Sequence, residues 1–142
     1  MDRTLENLTL SIPSERLIGF TVPADNRFLV CDHNEVWEVI TGVSTSVDET
    51  DFVPYTVAEQ PDFVGWGKED AAPVLKIGDS NISYNFDPKA AAVQVRYGYG
   101  ANHYLIDFPT LSGDWFCASL SREGNLLVLA EPYQIRLYRK PL

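Results

Sequence analysis

The run Leu126-Leu127-Val128-Leu129-Ala130, followed by the alternation Gln134-Ile135-Arg136-Leu137, decides the reading of this chain. The first run is apolar at consecutive positions. In a strand that puts apolar groups on both faces, so it should be a central strand. The second run has period two, the pattern of a strand with one face buried and one in water. The same alternation recurs upstream. Tyr104, Ile106 and Phe108 alternate with His103 and Asp107, and Val93, Val95 and Tyr97 with Gln94 and Arg96. Ile82, Tyr84 and Phe86 alternate with Ser83 and Asn85. The breaks between these runs carry turn chemistry. Asp87-Pro88-Lys89-Ala90 suits a type I turn, and Gly78-Asp79-Ser80, Gly98-Tyr99-Gly100 and Gly124-Asn125 supply positions for positive φ. Tyr99 is expected exposed at a hairpin tip. From residue 73 onward the chain reads as an antiparallel meander.

Toward the N-terminus, Leu17–Val22, Phe28–Cys31 and Val36–Ile40 add further strands, with His33-Asn34 in a turn where Asn tolerates the left-handed region. No window of twelve residues carries a convincing amphipathic helical period. With no helix to cover a sheet face, the sheets must pack on one another. The expected fold is all-β, with antiparallel sheets forming a sandwich or partial barrel from about nine short strands. Helix should stay under about 15%, against ~30% in an average domain. Ile82, Tyr84, Phe86, Val95, Tyr104, Ile106, Phe108, Leu127 and Leu129 should be core.

The 142 residues fit a single globular β domain spanning 1-142. Apolar residues at 45% and charged residues at 22% exclude disorder, collagen and coiled coil. No apolar run approaches the ~20 residues of a membrane span. Met1 to Leu10 carries acids and no apolar signal core, so a cytoplasmic protein is expected. The net charge is −9 and it is polarised. Residues 1 to 72 hold fourteen acids against four bases, whereas residues 73 to 142 hold six against seven. Such a field repels nucleic acid and anionic membranes and attracts basic partners. Cys31 and Cys117 each sit in an apolar run, without a Cys-x-x-Cys pair or a histidine cluster. They read as buried, reduced, inert thiols, and neither a zinc site nor another cofactor is implied.

Residues 43 to 72 break the pattern. They contain Pro54, Pro61, Gly65 and Gly67 and read as one long irregular acidic loop. Aromatic residues are interleaved with the acids there. The expected partner-binding set is Asp48, Glu49, Asp51, Phe52, Tyr55, Glu59, Asp62, Phe63, Trp66, Glu69 and Asp70. Aromatics anchor protein interfaces and acids select a basic partner. The structural alternative is a loop whose aromatics plug one end of the fold, or a short helix around Val57–Phe63.

Catalytic signatures are weak. His33 follows Asp32 in a turn, where adjacent side chains diverge. His103 and Asp107 share a strand face but lie ~13 Å apart, beyond hydrogen-bond reach. There is no Gly-x-Ser-x-Gly elbow, and Gly98-Tyr99-Gly100 is not followed by the Lys-Ser/Thr of a phosphate loop. No acid except Glu38 and Asp107 is expected mid-strand between apolar neighbours, and Glu38 is expected on a wet face. Arg96, Arg136, Arg139 and Lys140 beside Tyr97, Tyr99 and Tyr138 resemble a single-strand nucleic acid platform, but the overall charge opposes it. The chain therefore reads as a non-enzymatic, acidic, cytoplasmic protein-binding module for a basic protein partner. Toxin-neutralising immunity-type proteins share that composition, an analogy of composition and not of sequence. The alternative is a small-ligand-binding or enzymatic β-barrel with a cleft lined by Trp37, Trp66 and Trp115. Acids and exposed aromatics gathered on one face favour the first; a cleft with convergent titratable groups favours the second.

Overall fold

The apolar run at 126–130 lies in the middle of three stacked antiparallel sheets in the computed structural model, which describes residues 5–8, 10–65, 73–111 and 113–140. The middle sheet contains β1 (Glu6–Leu8), β11 (Cys117–Leu120), β12 (Leu126–Glu131) and β13 (Gln134–Arg139), in the order β1-β13-β12-β11. An N-terminal sheet contains β2 (Leu17–Thr21), β3 (Arg27–Asp32), β4 (Val36–Ile40), β5 (Ser46–Glu49) and β6 (Phe63–Gly65), in the order β5-β4-β3-β2-β6. A meander sheet contains β7 (Lys76–Ile77), β8 (Ser80–Tyr84), β9 (Ala92–Tyr99) and β10 (Asn102–Pro109), in the order β10-β9-β8-β7. One short helix, α1 (Pro54–Ala58), completes the described elements.

All six residues of β12 are buried, and the pleat explains why. Leu126, Val128 and Ala130 enter a core shared with Phe20, Val30, Trp37 and Val39 of the N-terminal sheet. Leu127 and Leu129 enter a second core with Ile82, Val95 and Phe108 of the meander sheet. A strand between two sheets must be apolar on both sides. The architecture is sandwich-like and all-β, at 53% strand and 4% helix, and it is not a closed barrel. The thirteen strands among the described residues exceed the expected nine. All nine expected core residues join the second core, with Tyr84, Phe86 and Tyr104 packed at its margin.

Three local expectations need correction. Tyr99 is buried, not exposed at a tip. The hairpin turns at Gly100-Ala101, so Tyr99 remains on the inward face of β9, stacked on Tyr104 at 5.9 Å with Lys140 Nζ 4.7 Å from its ring centroid. Asn34 does not adopt the left-handed region. Instead the Asp32 carboxylate accepts the N–H groups of Asn34 and Glu35, each at 2.7 Å. The described left-handed non-glycine residues are Asp25 and Asn26, in the tight turn bridged by Ala24 and Arg27.

The third correction concerns residues 43 to 72, which are not one irregular loop. Ser46–Glu49 forms β5 against β4, Pro54–Ala58 forms α1, and Phe63–Gly65 returns as β6 against β2. Gly65 was expected to break structure, yet it pairs with Gly19 inside the sheet. A Cβ on Gly65 would lie 2.2 Å from the Ile18 carbonyl oxygen, and one on Gly19 would lie 2.4 Å from that of Val64. Only hydrogen fits at either position. Their φ values of 153° and 156° are also poorly tolerated by other residues.

Both cysteines are free in the structure. Cys31 is fully buried beside Ile18, Val36, Val57 and Phe63, and Cys117 is half-buried against the first core. Burial, with a smaller contribution from the Asp32 charge, pushes the Cys31 thiol up to about 12. Burial alone pushes Cys117 up to about 11.

Candidate functional site

The outer face of the N-terminal sheet, turned away from the middle sheet, is partly covered by α1. Strand register puts Leu29, Glu38 and Asp48 in one row across β3, β4 and β5 on this face. The neighbouring row carries Cys31 and Val36, which α1 buries with Val57. Between Leu29 and α1 lies a hollow of about 340 Å³, lined by Leu29, Asp51, Phe52, Val53, Thr56, Val57 and Gln60. Its walls are mostly aliphatic and aromatic. Asp51 is the one acid among its lining residues.

The local sequence explains how this hollow is held. Thr50 ties the chain leaving β5 to β4: its N–H and hydroxyl both donate to the Val36 carbonyl at 2.9 Å. The same hydroxyl oxygen accepts the Phe52 N–H at 3.2 Å, turning the chain toward the helix. Pro54 opens α1, where its missing N–H costs nothing and its fixed φ suits a helix start. The Asp62 carbonyl then accepts the Val22 N–H at 2.9 Å and returns the chain to the sheet.

Among the described residues the side chains at this surface are mostly acidic. Among the described residues, Asp48, Glu49, Asp51 and Glu59 are exposed with no basic side chain within 4 Å. Glu38 alone has a loose partner, Arg27 at 3.8 Å. Glu35 is held above the ordinary carboxylate range, first by a hydrogen bond with Glu49, then by the charge of Glu49, with lesser contributions from desolvation and the charge of Asp32. A carboxyl whose pKa is raised by a second carboxyl beside it marks locally crowded negative charge. Phe52 and Tyr55 are 54% and 60% exposed, and the Tyr55 hydroxyl lies 3.5 Å from His33 Nδ1.

The expected site residues separate into groups. Asp48, Glu49, Asp51, Phe52, Tyr55 and Glu59 lie on or around α1 and β5 with their side chains exposed. Asp62 is half-buried, and its carbonyl serves the fold. Phe63 is 0% exposed beneath α1, so its ring is a packing group and not a contact for a partner. Trp66, Glu69 and Asp70 lie outside the described residues. Trp37 and Trp115 are buried in the first core, so neither lines the cleft expected for an enzyme or small-ligand barrel. Leu29, Val53, Thr56 and Gln60 were missed as lining residues. The four-residue spacing of Val53 and Val57, with Pro54 between them, is a helical signal, but one turn is too short for periodicity to reveal. Among the described residues no group of three or more His, Cys, Asp and Glu could hold a metal ion.

No family model matches this chain, and neither does a curated protein or a solved structure.

Proposed function

We propose that the protein is an acidic protein-binding module that docks a basic protein partner on the outer face of its N-terminal sheet. One observation carries this reading: an apolar hollow between Leu29 and α1 opens among exposed carboxylates that lack basic partners among the described residues. An apolar anchor that fills such a hollow supplies affinity, while a surrounding single-sign field supplies steering and selectivity. Exposed Phe52, Val53 and Tyr55 extend the contact area, and exposed aromatics beside a pocket are typical interface anchors. The specific form favoured is an immunity-type protein that neutralises a basic toxin in the cytoplasm. The concentration of acid in the half of the chain bearing the hollow supports it.

Selection from a display library of random short peptides tests the reading. The enriched sequences should pair Lys or Arg with one large apolar residue. Enrichment should fail on the Asp48→Asn, Glu49→Gln, Asp51→Asn triple variant. Neutral or acidic consensus sequences, or equal enrichment on both proteins, would sink the proposal.

A further inference from the structure

The opposite side of the stack carries a different chemistry. On the outer face of the meander sheet, register aligns Asn81, Gly98 and His103 in one row and Ser83, Arg96 and Leu105 in the next. Gly98 is buried between its neighbours: a Cβ there would lie 3.3 Å from His103 Nδ1 and 3.5 Å from Asn81 Nδ2, so the missing side chain lets these two polar groups approach each other on the face. Two hollows of about 510 and 410 Å³ lie on either side of the row that carries Ser83 and Arg96, and both residues line each of them. Asn85 and Gln94 line one hollow and Asn81 and His103 the other; among the described residues no carboxylate lines either, although exposed Asp107 stands opposite Gln94 in register. Arg96 has no acidic side chain within 4 Å among the described residues.

We propose that this face binds a carboxylate-bearing saccharide, with Arg96 gripping the carboxylate of a uronic acid unit. The guanidinium presents a planar fork that matches a carboxylate with two parallel hydrogen bonds. The Asn and Gln amides each offer donors beside an acceptor, and Ser83 offers both in one hydroxyl. Vicinal sugar hydroxyls need that mixture. Leu105, at 56% exposed, gives the apolar C–H face of a sugar ring something to cover. Each hollow is in the range that holds small ligands. A neutral sugar would leave the Arg96 charge unpaired, and inorganic phosphate would leave the amide oxygens without a donor to accept from. The near balance of charge in residues 73 to 142 spares an anion the repulsion it would meet on the other side of the molecule.

Titration of the isotope-labelled protein, followed by amide chemical shifts, decides the matter with three probes: galacturonic acid, galactose and inorganic phosphate. Galacturonic acid should move the amides of Ser83, Gln94 and Arg96 and bind about tenfold more tightly than galactose. Arg96→Gln should erase that advantage, and Gln94→Ala should weaken galacturonic acid binding while leaving phosphate unchanged. Both side chains are exposed, so the variants should fold. Equal binding of galactose and galacturonic acid would overturn the proposal. So would phosphate binding as tightly as galacturonic acid, which marks a bare anion spot, or the absence of any shift on this face.

Discussion

Phe52 and Phe63 belong to the same acidic segment, yet the structure gives them opposite roles, and truncating each to Ala separates these roles. The Phe63 ring is 0% exposed, packed among Ile18, Cys31, Val36 and Val57. It sits against Gly19, whose lack of a side chain makes room for it. Removing a ring from such a site costs the transfer energy of the ring plus that of the cavity left behind, about 3–5 kcal/mol. Collapse into the cavity is restricted, because β2 is held on one side by β3 and on the other by β6. The upper part of that range is therefore expected. For a domain of this size each kcal/mol lowers Tm by about 3–5 °C, so the Phe63→Ala variant should melt roughly 10–20 °C below wild type. Phe52 is 54% exposed, and its truncation should change stability by no more than about 1 kcal/mol. Circular dichroism melts, with urea denaturation as a second probe, measure both. If Phe63→Ala lost less than about 1 kcal/mol, or if Phe52→Ala lost as much as Phe63→Ala, the division between packing and docking aromatics would be wrong.

Further outcomes follow from the same structure. Leu126→Ala and Leu127→Ala point into different cores and should each cost about 2–5 kcal/mol; a neutral result at either would contradict a middle sheet covered on both sides. With thiol pKa values near 12 and 11, Cys31 and Cys117 should resist a thiol reagent in the native protein at neutral pH and react fully in denaturant; rapid native labelling of Cys31 would refute its burial. Glu35 has a raised folded-state pKa, so its contribution to stability is present below the ordinary carboxylate range and is lost as pH rises through the raised value. Glu49→Gln should flatten that dependence and leave neutral-pH stability equal or higher, and a clear loss of stability would argue against the crowding. Gly65→Ala should detach β6 from β2, seen as faster amide exchange at Val64, and retained protection there would remove the argument for a close backbone approach.

The C-terminal half was largely legible because its strands are long and period two is strict. Val93, Val95 and Tyr97 face one way and Gln94 and Arg96 the other, as the alternation requires. Even the middle sheet was foreshadowed by five consecutive apolar residues at 126–130. Half of the buried residues of the second core were named, among them Ile82, Val95, Phe108 and Leu129, but Phe116, Ala118 and Leu120 were not and Tyr99 was expected exposed, while most of the first core went unnamed. Phe20, Val30, Trp37 and Val39 lie on strands buried on both faces over much of their length, where period two is blurred. Elements in the acidic segment were hidden for different reasons. The edge strand Ser46–Glu49 has only Val47 as an apolar residue, α1 is a single turn, and β6 depends on a Gly19–Gly65 approach between residues distant in sequence. The exposed acids and aromatics of the candidate site were visible from composition. Separating Phe52 from Phe63 was not, because burial depends on which strand returns to the sheet.

The most direct test of the docking surface is capture from an extract of the source cell, run in parallel on wild type and on the Asp48→Asn, Glu49→Gln, Asp51→Asn variant and read by mass spectrometry. The three acids are exposed and lack basic partners among the described residues, so the variant should melt at the wild-type temperature or above it. Wild type should retain a protein of high isoelectric point that the variant does not retain and that about 0.5 M salt releases, because screening acts on the steering field. Capture of the same proteins by both, unchanged by salt, would contradict the account.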